Sequence, residues 1–410
     1  MYKYLLFRVF VMLTLVGVFS SCSQDDSDVE NLADNHAQPI EFTLDVTSRG
    51  AETTLKNLES IYVYGYYTDA DGEVQQCFDD ATYENGIVEF KKSSEGYYKP
   101  ETPIYWGKSW GETVTFLAFN PLTAEKSVYS DLGEFKTLTV NKSDNNNLKV
   151  LIQPSYCVRD HFDFITAKAT TTKNESRLGI PLTFNHQLSQ VELKFKISEN
   201  SDYSIDVYGA GLQRNNINRI GTYDFADGAI VNRNINGAGS FWFNTRGMTV
   251  GTVAQSVNES YGSAFVVPEN CPAYSSPESG KFIFPDNTGV QYISLYAKVY
   301  DAEHNKLIYP TNDDLKYTTR YLSVLGKVAN YYEPDLPTSE IGYSLIPIHT
   351  AIDYKPGYKY VITVDLTDGI GYFSGNDPEK PGESVLNPSL SAKVQVTEYK
   401  IGDDIPEVSE

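Results

Sequence analysis

Cysteine, histidine and basic residues are all scarce in this chain of 410 residues, and each shortage closes off a class of function. The cysteines are Cys22, Cys77, Cys157 and Cys271. The three beyond Cys22 allow at most one intramolecular disulfide, so no cross-linked scaffold carries the fold. The five histidines, His36, His161, His186, His304 and His349, offer no His-x-His or His-Glu-x-x-His spacing that would put two ligands on one metal. Neither a metal nor any other cofactor is expected. Lys and Arg number 33 against 54 Asp and Glu, for a formal charge of −21. Such a surface repels nucleic acid and anionic headgroups, and no nucleic-acid partner is expected. There is no Gly-x-Ser-x-Gly elbow, phosphate-cradling loop or dinucleotide fingerprint, and Gly209-Ala210-Gly211 is too brief to count as one. Asp69-Ala70-Asp71-Gly72 lacks the later ligands of a calcium loop and is taken as a solvated turn. Asp160 and Asp163 flank His161 without a nucleophile beside them, so they too are assigned to structure. No catalytic residue is assigned, and the chain is not expected to be an enzyme.

What is present begins with the N-terminus. Lys3 and Arg8 precede the uncharged run Val9 to Phe19, which has the length of a signal-peptide core and is too short for a stable membrane-spanning helix. Phe19-Ser20-Ser21-Cys22 resembles the lipobox cut by signal peptidase II, which makes Cys22 the acylated first residue of the mature chain and ties it to the outer membrane. Loss of Lys3 and Arg8 with the signal peptide takes the charge from −21 to −23. The following Ser23-Gln24-Asp25-Asp26-Ser27-Asp28 resembles the signal that sends lipoproteins of Bacteroides-type bacteria to the cell surface. A plain acidic linker would have the same composition.

Beyond this leader the periodicity is two nearly everywhere. Ile40, Phe42, Leu44 and Val46 alternate with Glu41, Thr43, Asp45 and Thr47, and Val191, Leu193, Phe195 and Ile197 alternate with Gln190, Glu192, Lys194 and Lys196. Further strands are predicted at Ile61 to Tyr67, Thr113 to Phe119, Asn147 to Ile152, Phe162 to Ala169, Tyr203 to Tyr208, Tyr292 to Tyr300, Tyr358 to Leu366 and Leu390 to Tyr399. Turn formers such as Asp71-Gly72, Asn85-Gly86, Asp227-Gly228 and Asn236-Gly237 punctuate them. A turn or two of helix is expected at most, near Asp314 to Ala329. The pattern predicts an all-β chain of two sandwiches in tandem. The expected layout is a signal peptide over residues 1–21, an acidic linker over 22–38, sandwiches over 39–175 and 176–401 divided at the polar stretch Thr170 to Ser176, and an acidic tail over 402–410.

The 31 Tyr, 20 Phe and 3 Trp could be core or could be stacking platforms for sugar rings. Tyr62, Tyr64 and Tyr66 share one strand face, and Phe241-Trp242-Phe243 sits beside glycines. A glycan or protein ligand bound through exposed aromatics is the alternative function.

Several short motifs then occur in order. Ile104-Tyr105-Trp106 precedes Phe116-Leu117-Ala118-Phe119-Asn120-Pro121, and Asp163-Phe164-Ile165-Thr166-Ala167 follows. Next come Leu182-Thr183-Phe184-Asn185-His186-Gln187-Leu188-Ser189 and, late in the chain, Gly357, Tyr360, Val364 and Leu366. Together they resemble the fimbrillin-like lipoproteins, with Tyr399 standing where a tryptophan is common. The resemblance implies transthyretin-like sandwiches, a cell-surface pilus and other pilus subunits as partners. It also implies assembly in which an arginine-specific protease removes the first strand and an extended segment of the next subunit fills the groove. Mapped onto this sequence, the exchanged strand carries Ile40, Phe42, Leu44 and Val46, and the cut falls between Arg49 and Gly50. The donor candidate is the run Leu390, Ala392, Val394 and Val396. The alternative, that this run is merely the last strand of its own domain and Arg49 an ordinary surface arginine, stays open.

Overall fold

The computed structural model describes residues 38–44, 58–121, 127–129, 133–135, 138–142, 148–152, 163–198, 200–214, 220–234, 239–250, 259–266, 270–271, 291–315, 340–373, 380, 382–386 and 393–400. Nearly all of them lie in strands or in the turns between strands. Helix amounts to single turns, among them Glu84–Gly86 and residues 312–315. The second of these has an N-terminal cap, since the Asp314 N–H donates to Thr311 Oγ1 at 3.3 Å and the Thr311 N–H donates back to the Asp314 carboxylate at 2.8 Å. The remainder of the stretch to Ala329 lies outside the described residues.

The largest sheet has nine strands. Its order runs Ile180–Leu182, Phe42–Leu44, Tyr98–Pro100, Ile87–Lys92, Ser60–Thr68, Val114–Asn120, Ile165–Thr171 and Asn185–His186, with Val74–Gln76 paired onto Ser60–Thr68. Period-two alternation gives the sheet two apolar faces. Ile61, Val63, Phe116, Ala118, Ile165 and Ala167 point to one core, while Tyr64, Leu117 and Phe119 point to another. The second face is covered by a four-stranded sheet in the order Ala229–Asn234, Ile220–Asp224, Leu148–Ile152 and Leu138–Lys142.

Strand pairing runs across the expected division at 175/176. Thr170 to Ser176 is the end of Ile165–Thr171 and the turn after it, inside the first unit and closed by Thr172 and Glu175, whose backbone and side-chain groups bond each other at 3.0–3.3 Å. The chain continues in the large sheet as far as His186, while Ile220–Asp224 pairs with Leu148–Ile152 and Ala229–Asn234 pairs in turn with Ile220–Asp224. A polar run reads the same whether it caps a turn or links two domains.

The C-terminal part has its own core between two sheets. One contains Glu259–Val266, Ser189–Lys196, Tyr358–Asp365 and Lys393–Lys400, and the other contains Gly239–Val250, Tyr203–Arg214, Gln291–Asp301, Leu307–Tyr309 and Gly342–Pro347. Val191, Leu193, Phe195, Ile205, Val207, Leu295, Ile362 and Val364 fill the space between them. The strand expected to end at Tyr208 runs on to Arg214, because a bulge between Val207 and Gly209 takes up the irregularity at the glycines and the pairing resumes beyond it.

Candidate functional site

The first strand lies inside the large sheet rather than at its edge. The segment Gln38 to Leu44 is hydrogen-bonded on both sides. On one side the Ile40 N–H donates to the Ile104 carbonyl at 2.8 Å, the Trp106 N–H donates to the Gln38 carbonyl at 3.1 Å, and Phe42 pairs with Tyr98. On the other side the pairing is parallel, Phe42 with Ile180 and Leu44 with Leu182, and the Ile180 N–H reaches the Glu41 carbonyl at 2.8 Å. Withdrawing this segment would leave two unpaired strand edges facing each other across a slot one strand wide.

Its alternating side chains fill the pockets of that slot. Ile40 and Phe42 are fully buried and Leu44 partly so. The Phe42 ring stands edge-on to Phe90 and Phe116, with ring centroids 4.8 Å and 5.2 Å away. Phe116 in turn meets the Trp106 ring edge-on at 6.1 Å. The Tyr98 hydroxyl donates to the Leu58 carbonyl at 2.7 Å, and burial, with a smaller contribution from Glu59, pushes its pKa up to about 12. At the rim, Lys99 reaches Glu41 at 3.3 Å and Glu95 at 2.9 Å. Gly179, at φ +90°, brings the chain over the strand where an added Cβ would fall 2.9 Å from Thr43 Cγ2. Of the expected strand from Ile40 to Thr47, Phe42–Leu44 is found as strand, and residues 45–47 lie outside the described residues.

Other expected site residues are placed as follows. Cys22, Val46, Arg49, Gly50, Leu390 and Ala392 lie outside the described residues. Val394 and Val396 fall on Lys393–Lys400, which pairs antiparallel with Tyr358–Asp365 over eight residues, and Val396 packs against the C-terminal core. In this structure that strand therefore belongs to its own sheet. Tyr64 is fully buried between the large sheet and its four-stranded cover, with Tyr62 and Tyr66 packed beside it. The three tyrosines pack at that interface, Tyr62 and Tyr66 only partly buried. Cys77 is a free thiol whose pKa burial raises, which disfavours the thiolate.

Sequence reasoning gave His186 and Asp163 structural roles without seeing that they meet. His186 Nδ1 lies 2.5 Å from Asp163 Oδ2, with both side chains largely buried. The next residues carry the chain from one core to the other. Gln187 donates to Thr166 Oγ1 at 2.8 Å and Leu188 is buried in the first unit's core, whereas Ser189 donates to the Lys355 carbonyl of the second at 2.7 Å. Gly357 and Tyr360 complete the joint. The Gly357 N–H donates to the Leu188 carbonyl at 3.0 Å, and the Tyr360 hydroxyl accepts from the Lys355 N–H while donating to the Asp353 carbonyl. The elements around His186 and Gly357, far apart in sequence, are the two halves of one junction. Among the described residues no group of His, Cys, Asp and Glu is arranged to hold a metal.

The sequence matches the model of the fimbrillin-like family over residues 48–379. The chain belongs to the fimbrillin-like family. The match starts just beyond the first strand and spans both cores. Among solved structures, this fimbrillin-like chain is similar to a fimbrial protein from Bacteroides vulgatus, at 11% identity and a TM-score of 0.46, covering 88% of this chain and 99% of that one. It is also similar to a candidate cell adhesion protein from Bacteroides ovatus, at 12% identity and a TM-score of 0.39, covering 91% and 99%. No curated protein matches the sequence.

Proposed function

We propose that this fimbrillin-like chain is a structural subunit of a cell-surface pilus, exported as an outer-membrane lipoprotein through Cys22 and assembled by strand exchange. Cleavage between Arg49 and Gly50 would release Gln38 to Leu44 together with the lipid anchor. The emptied slot would then take an extended segment of a neighbouring subunit, and the C-terminal run Leu390 to Val396 is this chain's own candidate donor to its neighbours. The observation that carries this reading is the position of the first strand, which is bonded along both edges and buries Ile40 and Phe42 in the core. A segment held in that way can be replaced by another strand with little change elsewhere, since main-chain bonds supply the affinity and alternate side-chain pockets the specificity. Charge acts in the same direction. The segment removed carries Asp25, Asp26, Asp28, Glu30, Asp34, Glu41, Asp45 and Arg49, so the lipidated chain would go from −23 to −17 and subunits would repel one another less.

The experiment is immunogold electron microscopy of cells with and without the protein, using an antibody to the mature chain. The reading expects label along or at the end of surface filaments. Label confined to the cell envelope, with filaments unchanged when the protein is absent, would refute it.

A further inference from the structure

We propose that the slot under the first strand receives its segment from an unlike subunit, one that presents a large aromatic side chain where Phe42 sits, and not from the C-terminal run of a second copy of this chain. The inference rests on the strand-exchange reading above and names the partner of that site.

The slot is shaped around a ring. Phe42 is fully buried, with Phe90 and Phe116 edge-on to it at 4.8 Å and 5.2 Å, and Phe78 lies beyond both at 6.5 Å and 6.4 Å. A replacing strand therefore has to bring an aliphatic side chain to the Ile40 position and a ring two residues on. The C-terminal run offers Leu390, Ala392, Val394 and Val396 on its apolar face. Laid into the slot in either direction, its central side chain is Ala or Val, and either one leaves most of the ring's volume empty. In the sequence Tyr399 is out of period-two step with Leu390, Ala392, Val394 and Val396, so it does not take the Phe42 position in that register. A second observation agrees. Lys393–Lys400 is already paired over eight residues with Tyr358–Asp365, so a copy donating it would open its own sheet to make a poorer fit in its neighbour. Together these describe a subunit that does not extend a filament of itself and whose neighbour is a different polypeptide.

The test grafts the C-terminal sequence into the first strand of the full chain, with no cleavage required. In one register Ile40→Leu, Glu41→Ser, Phe42→Ala, Thr43→Lys and Leu44→Val are combined. In the other, Ile40→Ala, Glu41→Lys, Phe42→Val, Thr43→Gln and Leu44→Val are combined. Each graft is compared with the same graft retaining Phe42. Both full grafts are expected to lose on the order of 10 °C in thermal midpoint or fail to fold, and retaining Phe42 is expected to recover most of the loss. A full graft that melts within about 2 °C of the native chain would overturn the proposal, because the slot then accepts the chain's own run. Grafts that stay equally unstable with Phe42 retained would overturn it too, because the ring is then not what the slot selects. Strand exchange itself is judged by another readout, whether residues before Gly50 are missing from the assembled subunit, so the two failures do not mimic each other.

Discussion

Phe42 stands edge-on to Phe90, ring centroids 4.8 Å apart and planes at 82°, and through this contact the first strand enters the core of the large sheet. Phe42→Ala removes the ring from a fully buried site and is expected to cost about 3–5 kcal/mol, read as a shift in the urea midpoint at unchanged slope. A loss below about 0.5 kcal/mol, the range of surface sites, would mean that the strand is not packed in this way.

The pair of His186 and Asp163 predicts a second effect at the joint between the cores. His186→Ala leaves a buried carboxylate without its imidazole and is expected to cost on the order of 3 kcal/mol. Adding Asp163→Ala should recover part of that cost, since the carboxylate that has lost its imidazole goes with it. A double-mutant cycle measures the difference, and strict additivity would show that the two side chains do not interact.

Tyr98 predicts an alkaline limit. Its hydroxyl is held neutral by burial, so its pKa moves from 10.0 in the unfolded chain to about 12 in the folded one. A raised pKa contributes stability that is complete below the unfolded value and lost as pH climbs towards the folded one. The native chain should therefore lose stability between about pH 10 and 12 more steeply than Tyr98→Phe, which keeps the ring and has no proton to lose. Parallel pH profiles for the two chains would remove Tyr98 from the account.

Cys22 predicts a lipid. Cells expressing the full chain and fed a clickable fatty acid should label it, and Cys22→Ala should label at background and remain unprocessed. Equal labelling of the two would refute the anchor.

How much was legible in the sequence follows from which signals are local. Period-two alternation located Ser60–Thr68, Val114–Asn120, Ser189–Lys196, Gln291–Asp301 and Tyr358–Asp365 to within a few residues, because a half-buried strand writes its two faces directly into the chain. Pairing across long separations has no such trace. Nothing near Ile220 says that Ile220–Asp224 will hydrogen-bond to Leu148–Ile152. The candidate site divides in the same way. Burial of Ile40 and Phe42 follows from their alternation, whereas the parallel partner Ile180–Leu182 lies far along the chain and was not expected. His186 belongs to a motif and Asp163 reads as structural, but no local signal in the sequence links the two.

The measurement that bears most directly on the central claim is the N-terminal sequence of this chain recovered from purified surface filaments. The account predicts a chain beginning at Gly50, with Gln38 to Leu44 gone and the slot beneath it filled by a segment of another subunit. A filament-borne chain that still carries residues 22–49 and its lipid, with the first strand in place, would contradict it.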